Sequence, residues 1–261
     1  MKTLRFIGMA IVAIIMSVNF VACDDDDKEE GGQTSQAKPL ISITRSNYDS
    51  ESDWVYTYSD GKLISGKNNK NYSFTIKYGN KLGVEYNDDG SIGKYVDIIL
   101  NDKGYITSYT HQTDYYGPLQ DYEKYTFEYD SEGHLIATKK FDVDEDCLGH
   151  EYHFTYSNGN IIKAVIDNDY SYSFTSASIP NVSGILCDAL REAEFPHLDD
   201  KGEGFLYYAG LLGKPIQNLV SKLIRYDGKT IEYTYQFDKD NKVTECSFEA
   251  EGKAISISYG Y

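Results

Sequence analysis

The chain has 261 residues, a formal charge of −16 and 25 tyrosines within an aromatic content of 14%. This excess of carboxylates disfavours nucleic acid and anionic membrane surfaces, which are bound through Lys and Arg. The length suffices for one large β domain with a sizeable core, and Tyr at this level suits half-buried sheet faces.

Taken in order, the chain opens on a basic Met1-Lys-Thr-Leu-Arg5, an apolar run from Phe6 to Phe20, and Val21-Ala-Cys23. That is a secretory leader over 1–22, not a fold element. Phe20-Val-Ala-Cys23 resembles the lipobox of bacterial lipoproteins, which implies lipidation at Cys23 and a membrane attachment through that lipid. The leader carries Lys2 and Arg5 and no acid, so the processed chain has a charge of −18 (−16 − 2). Asp24, Asp25, Asp26 and Asp27 follow, then Lys28-Glu-Glu30 and a polar stretch, so 23–39 reads as an acidic tether. An acidic run directly after the lipid-bearing Cys resembles the export signal of Bacteroidetes lipoproteins. It implies the outer face of the outer membrane, with the periplasm-facing leaflet as the alternative.

From Leu40 onward one grammar recurs. In Tyr125-Thr-Phe-Glu-Tyr129 the rings fall at every second position, so they share one face of a strand. Asp130-Ser-Glu-Gly133 then supplies turn chemistry, and Leu135-Ile-Ala137 restarts a strand. Near-copies run over 56–64, 84–92, 98–106, 152–161, 224–231 and 235–243. Their spacing is too irregular for a solenoid and predicts hairpins in series. The expected fold is mostly β: an antiparallel meander over 40–261, forming a barrel-like or strongly curved sheet, with a small helical insertion at 181–220. The first strand is expected over Leu40 to Arg45.

Within the insertion, Val182, Ile185, Leu186, Ala189, Leu190 and Ala193 have helical spacing, which predicts an amphipathic helix ending before Pro196. A second short helix is expected over Gly204 to Leu212 and a further turn over Pro215 to Lys222. The insertion either plugs a barrel mouth or covers a face of an open sheet. Covering apolar groups that a sheet edge would expose is the plainer role. Most strands look shorter than the roughly 9–11 residues of a transmembrane barrel, which predicts a tethered, water-facing domain and not a pore.

The hairpins resemble the tyrosine–aspartate repeats of bacterial surface and toxin-shell proteins. Together with Tyr207-Tyr-Ala-Gly-Leu-Leu-Gly-Lys-Pro-Ile-Gln-Asn-Leu219, the chain from about residue 40 to 261 resembles a family of Bacteroidetes lipoproteins, a domain of unknown function with a porin-like fold. That resemblance implies the shape and supplies no catalytic residues.

Sites for chemistry are few. Asp142, Asp144 and Asp146 occupy positions 1, 3 and 5 of a calcium loop, but Cys147 stands where Gly belongs and His153 where the terminal Glu belongs. They are a weak calcium candidate, and a solvated loop is the better reading. Cys147, His150 and His153 have zinc-like spacing, yet residues three apart in a strand face opposite sides. There is no Gly-x-Ser-x-Gly elbow, and Gly210-Leu-Leu-Gly-Lys214 lacks the spacing of a phosphate loop. Acids are too numerous for sequence to single out a glycosidase pair. A disulfide between Cys147 and Cys246 is possible on counting alone, with Cys187 left over; free thiols are the plainer reading.

The aromatic residues Trp54, Tyr115, Tyr116, Tyr207 and Tyr208 are the candidate ligand contacts, because exposed rings stack on sugars. The resulting expectation is a non-catalytic, outer-membrane-anchored surface lipoprotein without a cofactor, binding a glycan or an envelope protein and no nucleic acid. The alternatives are an extracellular carbohydrate hydrolase with an unassigned carboxylate pair, and a purely structural envelope component.

Overall fold

A computed structural model describes residues 39–46, 53–114, 117–143, 147–186, 188–193 and 204–261. In chain order the strands are β1 (Ser42–Ser46), β2 (Trp54–Ser59), β3 (Lys62–Asn68), β4 (Tyr72–Lys77), β5 (Gly83–Asp88) and β6 (Ser91–Leu100). They continue with β7 (Ile106–Thr113), β8 (Gln120–Tyr129), β9 (Leu135–Asp142), β10 (Cys147–Ser157), β11 (Asn160–Ile166) and β12 (Tyr170–Pro180). After α1 (Asp188–Glu192) and α2 (Phe205–Tyr208) come β13 (Asn218–Ile224), β14 (Thr230–Glu232), β15 (Thr234–Phe237), β16 (Val243–Ala250) and β17 (Lys253–Gly260).

The seven sequence copies all fall on strand–turn–strand units, and the reason lies in their Asx residues. The side-chain oxygen of Asn68 accepts the N–H groups of Lys70 and Tyr72, Asn101 those of Lys103 and Tyr105, and Asp238 those of Asp240 and Lys242. Asp130 does the same for Gly133 and His134. One side chain thus satisfies two turn donors that a reversing strand leaves unpaired. Where the turn has only two residues, as at Asn158-Gly159, both take positive φ (49° and 69°), the conformation that matches strand twist.

Each strand pairs antiparallel with its sequence neighbours, and β1 pairs with both β17 and β2. β14 and β15 act as one strand interrupted at Tyr233: β14 pairs with β13, and β15 pairs with β16. The ladders therefore return on themselves, and the 17-stranded sheet is a barrel. Inward positions carry the core, such as Tyr125 and Phe127 on β8 or Ile255, Ile257 and Tyr259 on β17. The positions between them, Lys124 and Glu128 or Ser256 and Ser258, face outward.

That alternation is the reverse of a membrane-spanning barrel, whose apolar residues face lipid. Most strands are shorter than a transmembrane strand, as expected, although β6 and β8 reach 10 residues and β10 and β12 reach 11, so length alone does not carry the argument. The polar outer wall carries it instead.

In a meander the turns alternate between ends. Those after β2, β4, β6, β8 and β10 lie at one rim, and the segment 181–217 leaves from that rim after β12. The described residues of this segment form a plug. Phe205 stacks on Phe74 with ring centroids 4.3 Å apart, and Tyr208 packs on Tyr56 at 5.6 Å. Its backbone pairs with turns of the same rim: Lys214 N–H donates to Gly133 O at 2.8 Å, and Gln217 N–H to Gly159 O at 2.9 Å. Among the described residues no strand edge is left for it to cover, so the edge-covering role is replaced by filling the mouth.

The predicted helix over 181–195 is reduced to α1. The Asn181 side chain accepts the Ile185 N–H at 3.1 Å and donates to the Ile185 carbonyl at 3.0 Å, and Gly184 takes φ 60°. These bonds compete with a helical turn. The apolar spacing reflects burial on all sides, with Ile185, Leu186, Ala189 and Leu190 all in the core. The turn expected over Pro215 to Lys222 is mostly strand, since β13 begins at Asn218.

Candidate functional site

Two places in the barrel concentrate polar and aromatic chemistry. One lies on the rim opposite the plug, at the tips of β10, β11–β12 and β13–β14. Tyr170 starts β12 and Tyr226 sits in the next turn, so neighbouring hairpin tips bring them together. Their rings meet edge to face at 4.8 Å, and they are 45% and 49% exposed. Buried Tyr172 backs the pair at 5.6 Å from Tyr226. The Arg225 guanidinium lies 5.9 Å from the Tyr226 ring.

Carboxylates flank the pair. Asp227 accepts the Lys229 N–H, which with Lys229 and Arg225 holds its carboxyl below the usual range. Desolvation opposes ionisation of Asp167, but the Glu151 N–H at 2.8 Å and the His150 ring at 2.7 Å outweigh it and lower its pKa. Half-exposed rings beside ionised carboxylates combine an apolar face with hydrogen-bond acceptors, which is chemistry of the kind that suits a polyhydroxyl ligand.

The second place is inside the wall near the same rim. His111 Nδ1 is 3.1 Å from Glu123 Oε2, and the Tyr86 hydroxyl contacts His111 Nε2. Tyr125 donates to Glu123 at 2.5 Å, and Lys140 Nζ lies 2.5 Å from its other oxygen. Burial pushes the Glu123 carboxyl up, but His111, Lys140 and Tyr125 outweigh it and bring its pKa down to about 2. Gly93 makes room for this, because a Cβ there would fall within the Tyr86 ring. His111 and Glu123 are both buried, and the carboxylate's two oxygens are taken up by the network, which reads as a satisfied polar core.

The residues singled out from sequence land elsewhere. Trp54 is 1% exposed, between Tyr56 at 6.1 Å and Phe74 at 5.9 Å, so it offers no platform to solvent. Tyr207 is buried, and Tyr208 faces a cavity of about 10 Å³ beside Asp188, Arg191 and Tyr259, room for one water. Both serve the joint between plug and wall. Burial removes the exposure for which Trp54 and Tyr207 were chosen, and Tyr208 is half-buried against Tyr56.

Tyr115, Tyr116, Asp144, Asp146, Cys187, Cys23 and Asp24 to Asp27 lie outside the described residues. Asp142 lies 3.7 Å from Lys140, and no metal-binding group of three ligands forms among the described residues. His150 pairs with Asp167 and His153 with Glu151, so the structure does not bring them together. Cys147 is exposed and Cys246 is buried.

Sequence reasoning passed over Tyr170 and Tyr226. The available signal was a Tyr directly beside an Asp-rich turn in two successive hairpins, at Asp169-Tyr170 and Tyr226-Asp227.

With this geometry in view, a family model matches residues 47–245: a domain of unknown function (DUF4595) with porin-like fold. The chain belongs to this family. Two crystal structures share its architecture. A porin-like protein from Bacteroides uniformis is 23% identical with a TM-score of 0.61, over 86% of this chain and 98% of that one. A porin-like protein from Bacteroides vulgatus is 11% identical with a TM-score of 0.56, over 86% and 99%. At these identities the likeness shows the fold alone. A TcdB2–TccC3–Cdc42 complex matches at a TM-score of 0.32, too low to decide the hairpins' kinship. No curated protein matches the chain. In this chain the porin-like barrel has a wall that is mostly polar outside and a mouth that is plugged.

Proposed function

We propose that the chain is a non-catalytic, lipid-anchored barrel of the outer-membrane surface that binds a glycan at the rim opposite its plug. The single observation carrying this reading is the half-exposed Tyr170–Tyr226 pair flanked by carboxylates. The lipobox at Cys23 and the acids Asp24 to Asp27 support the anchor and the surface location. The packed lumen supports a binder over a hydrolase, since the buried His111–Glu123 pair faces no cleft.

The test is a thermal-shift screen of the full chain in detergent against purified polysaccharides. A ligand at 100 times its Kd adds about 2.7 kcal/mol, which moves the midpoint by a few degrees. The expected result is a saturable shift that Tyr170→Ala with Tyr226→Ala removes while the ligand-free midpoint stays put. No shift across the panel sinks the glycan reading and moves the weight to a protein partner. Product analysis of the same mixtures separates binder from hydrolase. Cys23→Ala tests the anchor separately and is expected to move the protein from membrane to soluble fractions.

A further inference from the structure

We propose that the plug rim is seated against the lipid headgroups, holding the opposite rim away from the membrane. The inference rests on the anchored reading above and adds an orientation to it. β1 enters from the plug rim: Ile41 N–H bonds Gly260 O, and the strand runs from there toward Ser46. The tether of residues 23–38 therefore joins the barrel at that rim, and fully stretched it spans at most roughly 55 Å. Confinement of this kind turns a weak surface contact into an intramolecular one.

Charge and apolar exposure agree with that placement. Exposed apolar side chains occur at both rims, but their company differs. At the plug rim Ile99, Leu100, Val182 and Phe237 are exposed, and turn acids have lysines beside them, as in Asp60/Lys62, Asp102/Lys103 and Asp238/Lys239. At the opposite rim carboxylates are more numerous: Asp88, Asp89, Asp114, Asp167 and Asp169 lie in or beside turns without a lysine, while Lys70, Lys229 and Lys253 sit in or beside other turns there. An anionic headgroup layer repels that rim and tolerates the plug rim. Ile, Leu and Phe at an interface add apolar burial to the lipid's own hold.

The test uses the full lipidated chain in phosphatidylethanolamine–phosphatidylglycerol vesicles, with Cys147 and Cys187 replaced by Ser and buried Cys246 kept. A spin label is placed singly through Leu100→Cys, Phe237→Cys, Tyr226→Cys or Glu251→Cys. Expected is a several-fold drop in collision with an aqueous nickel chelate at the first two positions on vesicle binding, and none at the last two. Equal accessibility at both rims in protein that floats with the vesicles overturns the seating and leaves the anchor intact. Protein that does not float overturns the anchor and the seating together. Protection that appears in native membranes but not in vesicles also overturns the proposal, because a protein would then be covering the rim.

Discussion

Glu123 is the residue on which the polar contacts inside the wall converge, and its protonation sets an acid limit on the fold. Its carboxyl is brought down to about 2 from the ordinary 4.5, because His111, Lys140 and Tyr125 outweigh its burial. A depressed carboxyl contributes stability that is fully present above its unfolded pKa and is lost as pH falls through the folded one. The window is therefore about pH 4.5 down to 2, and the contribution above it is on the order of 3 kcal/mol. Melting measured from pH 7 to pH 2 is expected to fall across that window. Glu123→Gln is expected to start lower at pH 7 and to show a flatter decline. An unchanged profile would mean that the network does not stabilise the barrel. None of this was legible in sequence. His111 and Glu123 lie on different strands, and the β7–β8 register makes them direct cross-strand partners.

At the scale of elements, the plug and the ring are the two parts to separate. The insertion's position was legible from the break in the hairpin grammar, whereas its role was not. Its apolar residues show a helical period because they are buried, and a segment enclosed by a barrel is buried all round without needing a long helix. Phe205 is the plug residue with the closest ring contact, stacked on Phe74 and 6.1 Å from Tyr95. Truncation to Ala is expected to cost about 3–5 kcal/mol, read as a lowered denaturant midpoint. A cost near zero would show that the plug is only loosely seated.

For the molecule as a whole, closure is the decisive feature. β1 and β17, from the two ends of the described domain, pair over Ser42–Ser46 and Ser256–Gly260, and β1 also pairs with β2. Deleting residues 253–261 would leave the edges of β16 and β1 open at once. The expected outcome is aggregation or loss of the cooperative transition, checked by calorimetry and light scattering. A soluble monomer with an unchanged transition would show that the ring does not depend on its seam.

The sequence by itself determined the hairpins, the turn chemistry and the inward–outward alternation, because these depend on residues a few positions apart. The basic, apolar and acidic runs at the N-terminus, which motivate the proposed anchor, also need no fold to be read. Only the tertiary structure decided that the meander curls round on itself, that the described residues between β12 and β13 fill its mouth, and that Trp54, Tyr207 and Tyr208 are packing residues. It likewise placed Tyr170 beside Tyr226. Local periodicity states which face of a strand is apolar, but not whether that face meets solvent, a plug or another strand. That depends on how far the sheet curls before its ends meet, which is settled by contacts between residues more than two hundred positions apart, such as Ser46 and Ser256.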